Sequence, residues 1–187
     1  MVNLCEVILL DYKSLLSLMN QRQSIRKFKE KEISKELIEK IIQAGVTAPS
    51  AFNSQPWKFA VIQNQEKKQE LNLAYSSLRK KFGWYEQDTS FIENSVPIIV
   101  LCDEEDYLKE ISCALAIQNM LLASKSLGLG SLTIGAFSMN AESEEELKKI
   151  VSAKKEEKVV LVCLFGYKDE TPERKTRKSI EEVVEFS

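Results

Sequence analysis

Apolar residues along the chain recur at two spacings, one typical of helices and one typical of strands. The segment ISKELIEKIIQAGVTA is the clearest helix, because Ile38, Ile41 and Ile42 recur at the spacing of one helical face. Ser34 is a suitable N-cap residue, and Ile33 before it can pack on Ile38 as a hydrophobic staple. The sequence therefore predicts an amphipathic helix that begins after this serine and packs one face on a core.

Four further helices and three or four strands complete the pattern. The helices are YKSLLSLMNQRQ, QEKKQELNLAYSSLRKKF, YLKEISCALAIQNMLLASKSLGLG and AESEEELKKIVS. The third is apolar on nearly all sides, which is typical of a central helix, and Gly128 is expected just beyond its end. WKFAVIQ, VPIIVLC and EKVVLVCLFGY read as strands, and SLTIGAF as strand or loop. This order favours the α+β class, with helices covering a small sheet in one domain over residues 1–187.

Composition excludes several classes of chemistry. The chain has no histidine, so Ser-His-Asp and Cys-His catalysis are excluded and no metal site is predicted. Cys5, Cys102, Cys113 and Cys163 form no C-x-x-C pair and are expected to be small buried hydrophobes. The net charge of -2 gives no reason to expect a nucleic acid or membrane partner. The apolar patch LCEVILL is too short to span a bilayer, so a cytoplasmic location is expected.

The glycine-containing segment GLGSLTIG matches neither common phosphate-binding loop. The dinucleotide fingerprint needs a glycine where Thr133 stands, and the Walker pattern needs a lysine where Ala136 stands. A dinucleotide or nucleoside triphosphate held in those ways is therefore not expected.

Two basic segments are candidates for anion binding. In RQSIRKF, Arg22, Ser24 and Arg26 alternate, so an extended backbone would point them to one side as an oxyanion receptor. A second basic cluster lies in residues 168–187, which we call the tail, at Arg174, Lys175, Arg177 and Lys178. Either segment alone could be solvated surface, and spacing along the chain does not show whether the two converge.

The segment PSAFNSQPW is more elaborate than a connecting loop requires. Its two prolines restrict the backbone, so main-chain groups with Ser50, Asn53 and Gln55 could face the polar edge of a planar ligand. Alternatively, these side chains could satisfy only the loop's own backbone.

Taken together, these segments resemble the nitroreductase family of flavin enzymes. The resemblance rests on RQSIRKF, APSAFNSQPWKFAVI, AIQNMLLASKSLGLGSLTIGAF and GYKDETPERKTRKSIEEVV, in this order, and extends from about residue 14 to residue 186. It implies a central mixed sheet wrapped by helices in an intertwined homodimer, with the long helix at residues 106–127 in the interface. It also implies that Val183, Val184 and Phe186 contact the partner subunit.

The resemblance further implies FMN bound at the subunit interface. Arg22, Ser24 and Arg26 would hold its phosphate and ribityl chain, with Lys175 and Arg177 as second phosphate contacts and Arg174 as a substitute. The other implied contacts are Pro49, Ser50, Ala51, Asn53 and Gln55 from the partner subunit, and Thr133, Ile134 and Gly135, whose backbone would approach flavin N5. Relatives often carry an acidic residue or tryptophan near this last segment, which Thr133 and Ile134 do not match.

The implied activity is hydride transfer from NAD(P)H through flavin N5 to a nitroaromatic, quinone or similar acceptor, with ping-pong kinetics. Phe82, Trp84 and Tyr85 would form the substrate rim, where Arg79, Lys80 and Lys81 could attract a cofactor phosphate. An ordinary surface helix is the alternative for each rim residue. Two other functions stay open: different flavin chemistry on the same fold, such as a dehalogenase or oxidase, and a non-enzymatic FMN-storage dimer.

Overall fold

The computed structural model describes residues 11–84, 88–103, 105 and 107–186. In these residues the chain forms five α-helices and four strands. The helices are α1 (Tyr12–Gln21), α2 (Lys35–Val46), α3 (Gln65–Lys81), α4 (Lys109–Ser126) and α5 (Ala141–Ile150). The strands are β1 (Trp57–Val61), β2 (Val96–Asp103), β3 (Gly130–Ile134) and β4 (Glu157–Gly166). Short 3-10 helices cover Ala51–Asn53 and Ala136–Met139.

The four strands form one sheet in the order β1-β2-β4-β3. Each neighbouring pair runs antiparallel, with β2 and β4 at the centre. A single parallel bridge, between Ser24 and Ser131, adds to the β3 edge among the residues described. The expected α+β class is confirmed, and its mixed character rests on this bridge rather than on a parallel strand.

Helices cover both faces of the sheet. Helices α3 and α5 pack on one face, over a core that includes Leu132 and Ile134 of β3. Helices α2 and α4 pack on the other, over a core that includes Val100 of β2 and Phe165 of β4. Because both faces are covered, β2 is buried along nearly its whole length, as its continuous apolar run predicts.

Local capping explains where the helices begin and end. The Ser34 hydroxyl accepts a hydrogen bond from the Leu37 N–H (3.4 Å), and Ile33 and Ile38 are buried, which confirms the predicted start of α2. Gly128 follows α4 with a φ of 77°, as a C-terminal glycine should. No helix in the described ranges has the length and apolar character needed to cross a membrane.

Helix α4 has one face on the core and one towards solvent. Cys113, Ile117 and Met120 are buried, whereas Ile111 and Leu115 on the outer face are exposed. The predicted helix at 106–127 is therefore observed at Lys109–Ser126, and its all-round apolar character leaves an apolar outer face that the described part of the chain does not cover.

Candidate functional site

The candidate site is built on residues 24–29, which we call the strap. Beneath the strap, Gly130 of β3 is paired with Gly166 on the neighbouring strand β4. A Cβ added to Gly130 would lie 2.8 Å from Cγ1 of Ile25, and one added to Gly166 would lie 2.5 Å from Cδ1 of Phe28. The glycine pair therefore allows two buried strap side chains to pack directly on the sheet backbone.

Main-chain hydrogen bonds fix the strap along this edge. The Ile25 N–H donates to the Ser131 carbonyl (2.9 Å), and the Lys29 N–H donates to the Tyr167 carbonyl (2.8 Å). Lys31 beyond it lies over the Tyr167 ring, 4.1 Å from the centroid. The strap is thus held at both ends, and its polar side chains have a fixed backbone behind them.

The two basic segments of the sequence meet in one cleft of about 200 Å³. We call it the cationic cleft. It is lined by Met19, Asn20, Arg22, Gln23, Ser24 and Arg26 on one side and by Pro172, Glu173, Arg174, Lys175 and Arg177 on the other. Four arginines, one lysine and one serine hydroxyl therefore surround a space suited to a small anion, with Glu173 as the one carboxylate lining it.

The predicted residues differ in how firmly they are held. Arg22 caps the end of α1 through its N–H, which donates to the Leu18 carbonyl (3.1 Å), and is half-buried. Ser24 is half-buried, and Arg26 is exposed. In the tail, Nη1 of Arg177 donates to the Thr176 carbonyl (3.1 Å), so that guanidinium is folded back on its own segment.

Residues 49–55, which we call the amide loop, have an unusual backbone. Phe52, Asn53 and Gln55 have φ values of 52°, 57° and 50°. This left-handed region suits glycine or asparagine, and it costs about 1–2 kcal/mol for an ordinary residue such as phenylalanine. Phe52 is nevertheless 93% exposed, so packing against the described residues does not compensate the strain.

Two of the loop's polar side chains support the loop itself. The Ser50 hydroxyl accepts from the Gln55 N–H (3.0 Å), and the Gln55 side-chain amide donates to the Asn53 carbonyl (3.4 Å). The Ala51 N–H donates to the buried Ser112 hydroxyl of α4 (3.4 Å). For Ser50 and Gln55, these bonds correspond to the alternative in which the side chains satisfy their own backbone. Pro49 and Asn53 are exposed.

Strand β3 leads from the strap to Gly135. Ser131 lies beside the strap, and Gly135 follows the end of the strand, roughly 13 Å further on at the rise of an extended chain. Ile134 is buried in the core, so only its backbone is available to a ligand, whereas Thr133 is half-buried. A Cβ on Gly135 would meet only Cδ2 of Leu161, at an ordinary 3.4 Å, so the chain's own packing does not require glycine there.

The predicted rim follows the end of α3. The Phe82 and Trp84 rings stack on each other, 5.2 Å between centroids, and each side chain is 38% exposed. Lys81 forms an ion pair with Glu142 of α5, and Arg79 donates to the Tyr75 hydroxyl (3.4 Å). Lys80 is exposed, and Tyr85 lies outside the described residues.

A larger cleft, of about 540 Å³, lies elsewhere and contains none of the predicted site residues. Its charged lining mixes Glu30, Glu32 and Glu93 with Lys31 and Lys68. Burial lowers the pKa of Lys68, and nearby Glu32 opposes that shift. Because its charged side chains are three glutamates and two lysines, this cleft lacks the excess of positive charge found in the cationic cleft, which has five cationic side chains and one carboxylate.

The three described cysteines are core residues, as predicted. Cys102, Cys113 and Cys163 are buried, and burial raises the pKa of the Cys163 thiol to about 12. Within the described residues, no group of three or more Cys, Asp or Glu side chains is placed to hold a metal ion.

The glycine pair beneath the strap is not evident from the sequence. Both glycines lie in apolar segments that give no local sign of pairing, and Gly130 suggests only a phosphate loop, whose pattern the segment does not match. A glycine at each of two neighbouring strand ends, opposite an apolar strap, is the signal that could have indicated a close backbone contact.

Comparison with known proteins places this architecture in a family. The nitroreductase family model matches residues 19–96 and 103–167. A relative from Methanothermobacter thermautotrophicus, named "Putative NADH dehydrogenase/NAD(P)H nitroreductase", is 32% identical over 163 residues, which cover 84% of this chain and 78% of the relative. The chain belongs to the nitroreductase family.

Two further similar proteins are a solved structure and a relative with a different name. The crystal structure of a nitroreductase with bound FMN from Bacteroides fragilis has a TM-score of 0.76 at 24% identity, covering 92% of this chain and 98% of that one. The expected fold is therefore confirmed. The iodotyrosine deiodinase of Hydra vulgaris is 27% identical over 80% of this chain, which spans 63% of that relative's length.

Proposed function

We propose that this chain is an FMN-dependent oxidoreductase that uses NAD(P)H to reduce an electron-poor acceptor such as a nitroaromatic or a quinone. The observation that carries the proposal is the convergence of the strap and the tail on one cationic cleft. A phosphate monoester carries close to two negative charges at neutral pH and matches a site lined by several guanidinium groups. The FMN bound to the Bacteroides fragilis protein of the same fold supports this choice of ligand.

The residues present fit an elongated ligand with a phosphate at one end. The cationic cleft would hold the phosphate, through Arg22, Ser24 and Arg26 with Lys175 and Arg177 opposite. Strand β3 leads from there to Gly135, where the missing side chain leaves the backbone open to a planar ring. The backbone of Thr133 and Ile134 would lie along the same path.

When bound, FMN would supply the hydride-accepting and hydride-donating chemistry that connects NAD(P)H to the acceptor. The chain's own residues would position it and neutralise its phosphate. Phe82 and Trp84 provide a partly exposed aromatic surface at the rim, suited to stack on a donor or acceptor ring. One site used in turn by donor and acceptor would give ping-pong kinetics.

We also propose a homodimer that completes the site. The amide loop is strained and its Phe52 ring is exposed, and the outer face of α4 exposes Ile111 and Leu115. In the tail Val183, Val184 and Phe186 are exposed as well. A second copy covering these surfaces would bring Pro49, Ser50, Ala51 and Asn53 against the flavin bound to its partner. Analytical ultracentrifugation tests this; a monomer at micromolar concentration would contradict it.

The first test is the visible absorption spectrum of the purified protein before and after anaerobic NADH or NADPH. Flavin bands that bleach with either donor are the expected result, and the faster donor identifies the preference. Bands that persist with both donors would favour an FMN-storage protein instead. A colourless protein that takes up no added FMN would contradict the proposal.

A charge-matched pair of variants tests the cleft. Arg22→Ala/Arg26→Ala should raise the Kd for FMN at least about 100-fold, because two charge-assisted phosphate contacts are lost. Lys35→Ala/Lys40→Ala removes the same charge from exposed positions on α2 and should leave the Kd unchanged. If both pairs raise the Kd equally, the arginines act only through the overall charge of the protein. If neither pair changes the Kd, the phosphate assignment is contradicted.

Reductive dehalogenation is a second candidate, favoured by the similarity to the Hydra vulgaris deiodinase. The test is iodide release from iodotyrosine by the reduced protein, compared with reduction of a nitroaromatic under the same conditions. Iodide release at the faster rate would replace the first proposal, whereas nitroaromatic reduction alone would support it.

A further inference from the structure

The tail approaches the strap as a short stretch of antiparallel pairing. Phe28 bridges Lys168, and the Asp169 N–H donates to the Lys27 carbonyl (2.9 Å). Among the described residues, no backbone hydrogen bond joins the tail beyond Asp169 to the strap. Three residues later Pro172, which has no N–H to donate, already lines the cationic cleft.

The Glu170 side chain continues the attachment where the backbone pairing stops. Its Oε1 accepts from the N–H of Arg26 and from the N–H of Lys27, the second at 3.2 Å. The two bonds join residues 144 and 143 positions apart in the sequence. Hydrogen bonds to an ionised acceptor are roughly twice as strong as neutral ones, so a carboxylate suits two main-chain donors.

We propose that Glu170 is a positioning residue that holds the two walls of the cationic cleft at the spacing of a phosphate. One wall carries Arg26, whose own N–H the carboxylate accepts, and the other begins at Pro172. Glu170 does not line the cleft, so it acts through the residues that do. This inference rests on the proposed function, because the phosphate is that of FMN.

The direction in which removal of Glu170 changes FMN affinity distinguishes a positioning role from a purely electrostatic one. A carboxylate near the cleft repels a phosphate, so removing its charge should tighten FMN binding if charge were its only contribution. If Glu170 fixes the spacing of the cleft, its removal should weaken FMN binding instead. Riboflavin lacks the phosphate, so its binding should not depend on the spacing of the cleft.

The neighbouring Asp169 offers a matched control. It is exposed, and its contact with the strap is made by its main-chain N–H, which survives truncation of the side chain. Asp169→Ala and Glu170→Ala therefore remove the same charge from adjacent positions, but only the second removes the acceptor of the Arg26 and Lys27 N–H groups.

The experiment measures the Kd of the full-length variants for FMN and for riboflavin by fluorescence quenching. Glu170→Ala should weaken FMN binding about 10-fold and change riboflavin binding less than about 2-fold. Asp169→Ala should not weaken FMN binding, and Glu170→Gln, which keeps an acceptor oxygen, should stay within about 3-fold of wild type. Tighter FMN binding by Glu170→Ala, or a parallel loss of riboflavin, would overturn the proposal.

Amide hydrogen exchange tests the attachment without any flavin. In Glu170→Ala the Arg26 and Lys27 amides should exchange at least about 10-fold faster, because they lose their acceptor, and in Asp169→Ala they should not. If Glu170→Ala does not fold, Glu170→Asp, which keeps the charge but retracts the carboxylate, must show the same selective loss of FMN. If the wild-type protein binds neither flavin, the proposed function fails, and the phosphate role of Glu170 fails with it. If the Arg26 and Lys27 amides exchange at unchanged rates in Glu170→Ala, the attachment itself is overturned.

Discussion

The cationic cleft and the amide loop, the two parts of the proposed site, are stabilised in opposite ways. The cleft joins segments far apart in sequence, and its walls are held by main-chain hydrogen bonds along the strap and by the Glu170 carboxylate. The amide loop is local, strained at Phe52, and linked to α4 by one long hydrogen bond from Ala51 to Ser112. The cleft is lined by residues of this one chain, whereas the amide loop exposes a strained backbone and an aromatic ring at the dimer interface proposed above.

This contrast predicts which substitutions should change both the free energy of unfolding and ligand binding, and which should change mainly association. Strained backbone persists only where its surroundings over-determine it, and the surroundings of Phe52 in one chain are mainly solvent. Changes under the cleft should therefore affect folding and binding together, while changes in the amide loop should affect association more than folding.

Gly166→Ala should have the largest effect. The new methyl group would lie 2.5 Å from Cδ1 and 2.9 Å from Cγ of the buried Phe28 ring, so the strap must lift from the sheet. We expect the free energy of unfolding to fall by about 1–3 kcal/mol, with a parallel loss of FMN affinity. Urea unfolding and flavin titration measure the two effects.

Gly135→Ala is the control for that prediction. Its Cβ would meet Leu161 at an ordinary 3.4 Å and its φ is −92°, so the free energy of unfolding should change by less than about 0.5 kcal/mol. Flavin binding should nevertheless weaken if a ring lies on this backbone. Equal losses of stability in both alanine variants would contradict the distinction between the two glycines.

Phe52→Gly should have the next largest effect, on association. Glycine adopts the left-handed conformation without a Cβ penalty, and the exposed ring makes little packing within the chain. We therefore expect a folded chain by circular dichroism whose dimer dissociates at least about 10-fold more readily, as loss of an aromatic interface residue implies. Sedimentation velocity measures this. Leu73→Ala, on an exposed position of α3, should leave the dimer unchanged, and an unaffected dimer in Phe52→Gly would break the comparison.

Ser112→Ala should have a smaller effect, on the anchoring of the amide loop. The Ala51 N–H would lose its acceptor at 3.4 Å, which costs about 0.5–1.5 kcal/mol for a neutral hydrogen bond. Faster hydrogen exchange at the Ala51 amide is the expected signal. Ser126→Ala, which removes a hydroxyl bonded to its own helix at Ala123, should not change that amide.

The smallest effect concerns pH and lies outside the site. A hydrogen bond from Lys158 lowers the pKa of the Glu110 carboxyl below its usual value, and the two side chains are 2.9 Å apart on the surface. Because the folded-state pKa is lowered, the stabilisation is present above the unfolded pKa near 4.5 and is lost as pH falls. Lys158→Ala should reduce the free energy of unfolding by less than about 1 kcal/mol at pH 7 and by less at pH 3. A larger cost at pH 3 would reverse the assignment.

Local signals in the sequence predicted most of the fold. Ser34 and the apolar face after it defined α2, and the continuous apolar run at 96–102 predicted a buried strand. The segment SLTIGAF stayed ambiguous, because Gly130–Ile134 is an edge strand that passes directly into a 3-10 helix. Short apolar segments carry too little periodicity to separate these states.

The sequence predicted the separate segments of the candidate site but not how they come together. The alternation of Arg22, Ser24 and Arg26 is a local property, whereas their meeting with residues 172–177 depends on tertiary pairing through Tyr167 and Asp169. The positive φ values at Phe52 and Gln55 were equally hidden, because these residue types give no sign of a left-handed backbone. The proposed role of Glu170 depends on a contact between residues 144 positions apart, which the sequence does not reveal.

The pairing of strap and tail has a consequence for biosynthesis. Residues 24–29 leave the ribosome early, but Gly166, Glu170 and the second wall of the cleft follow only when nearly all of this sequence has been made. Folding during translation proceeds from the N-terminal side, so Arg22 and Arg26 are synthesised well before the residues that line the opposite wall of the cleft. If the cationic cleft binds a phosphate as proposed, a nascent chain could bind it only after Glu170 and residues 172–177 have been synthesised.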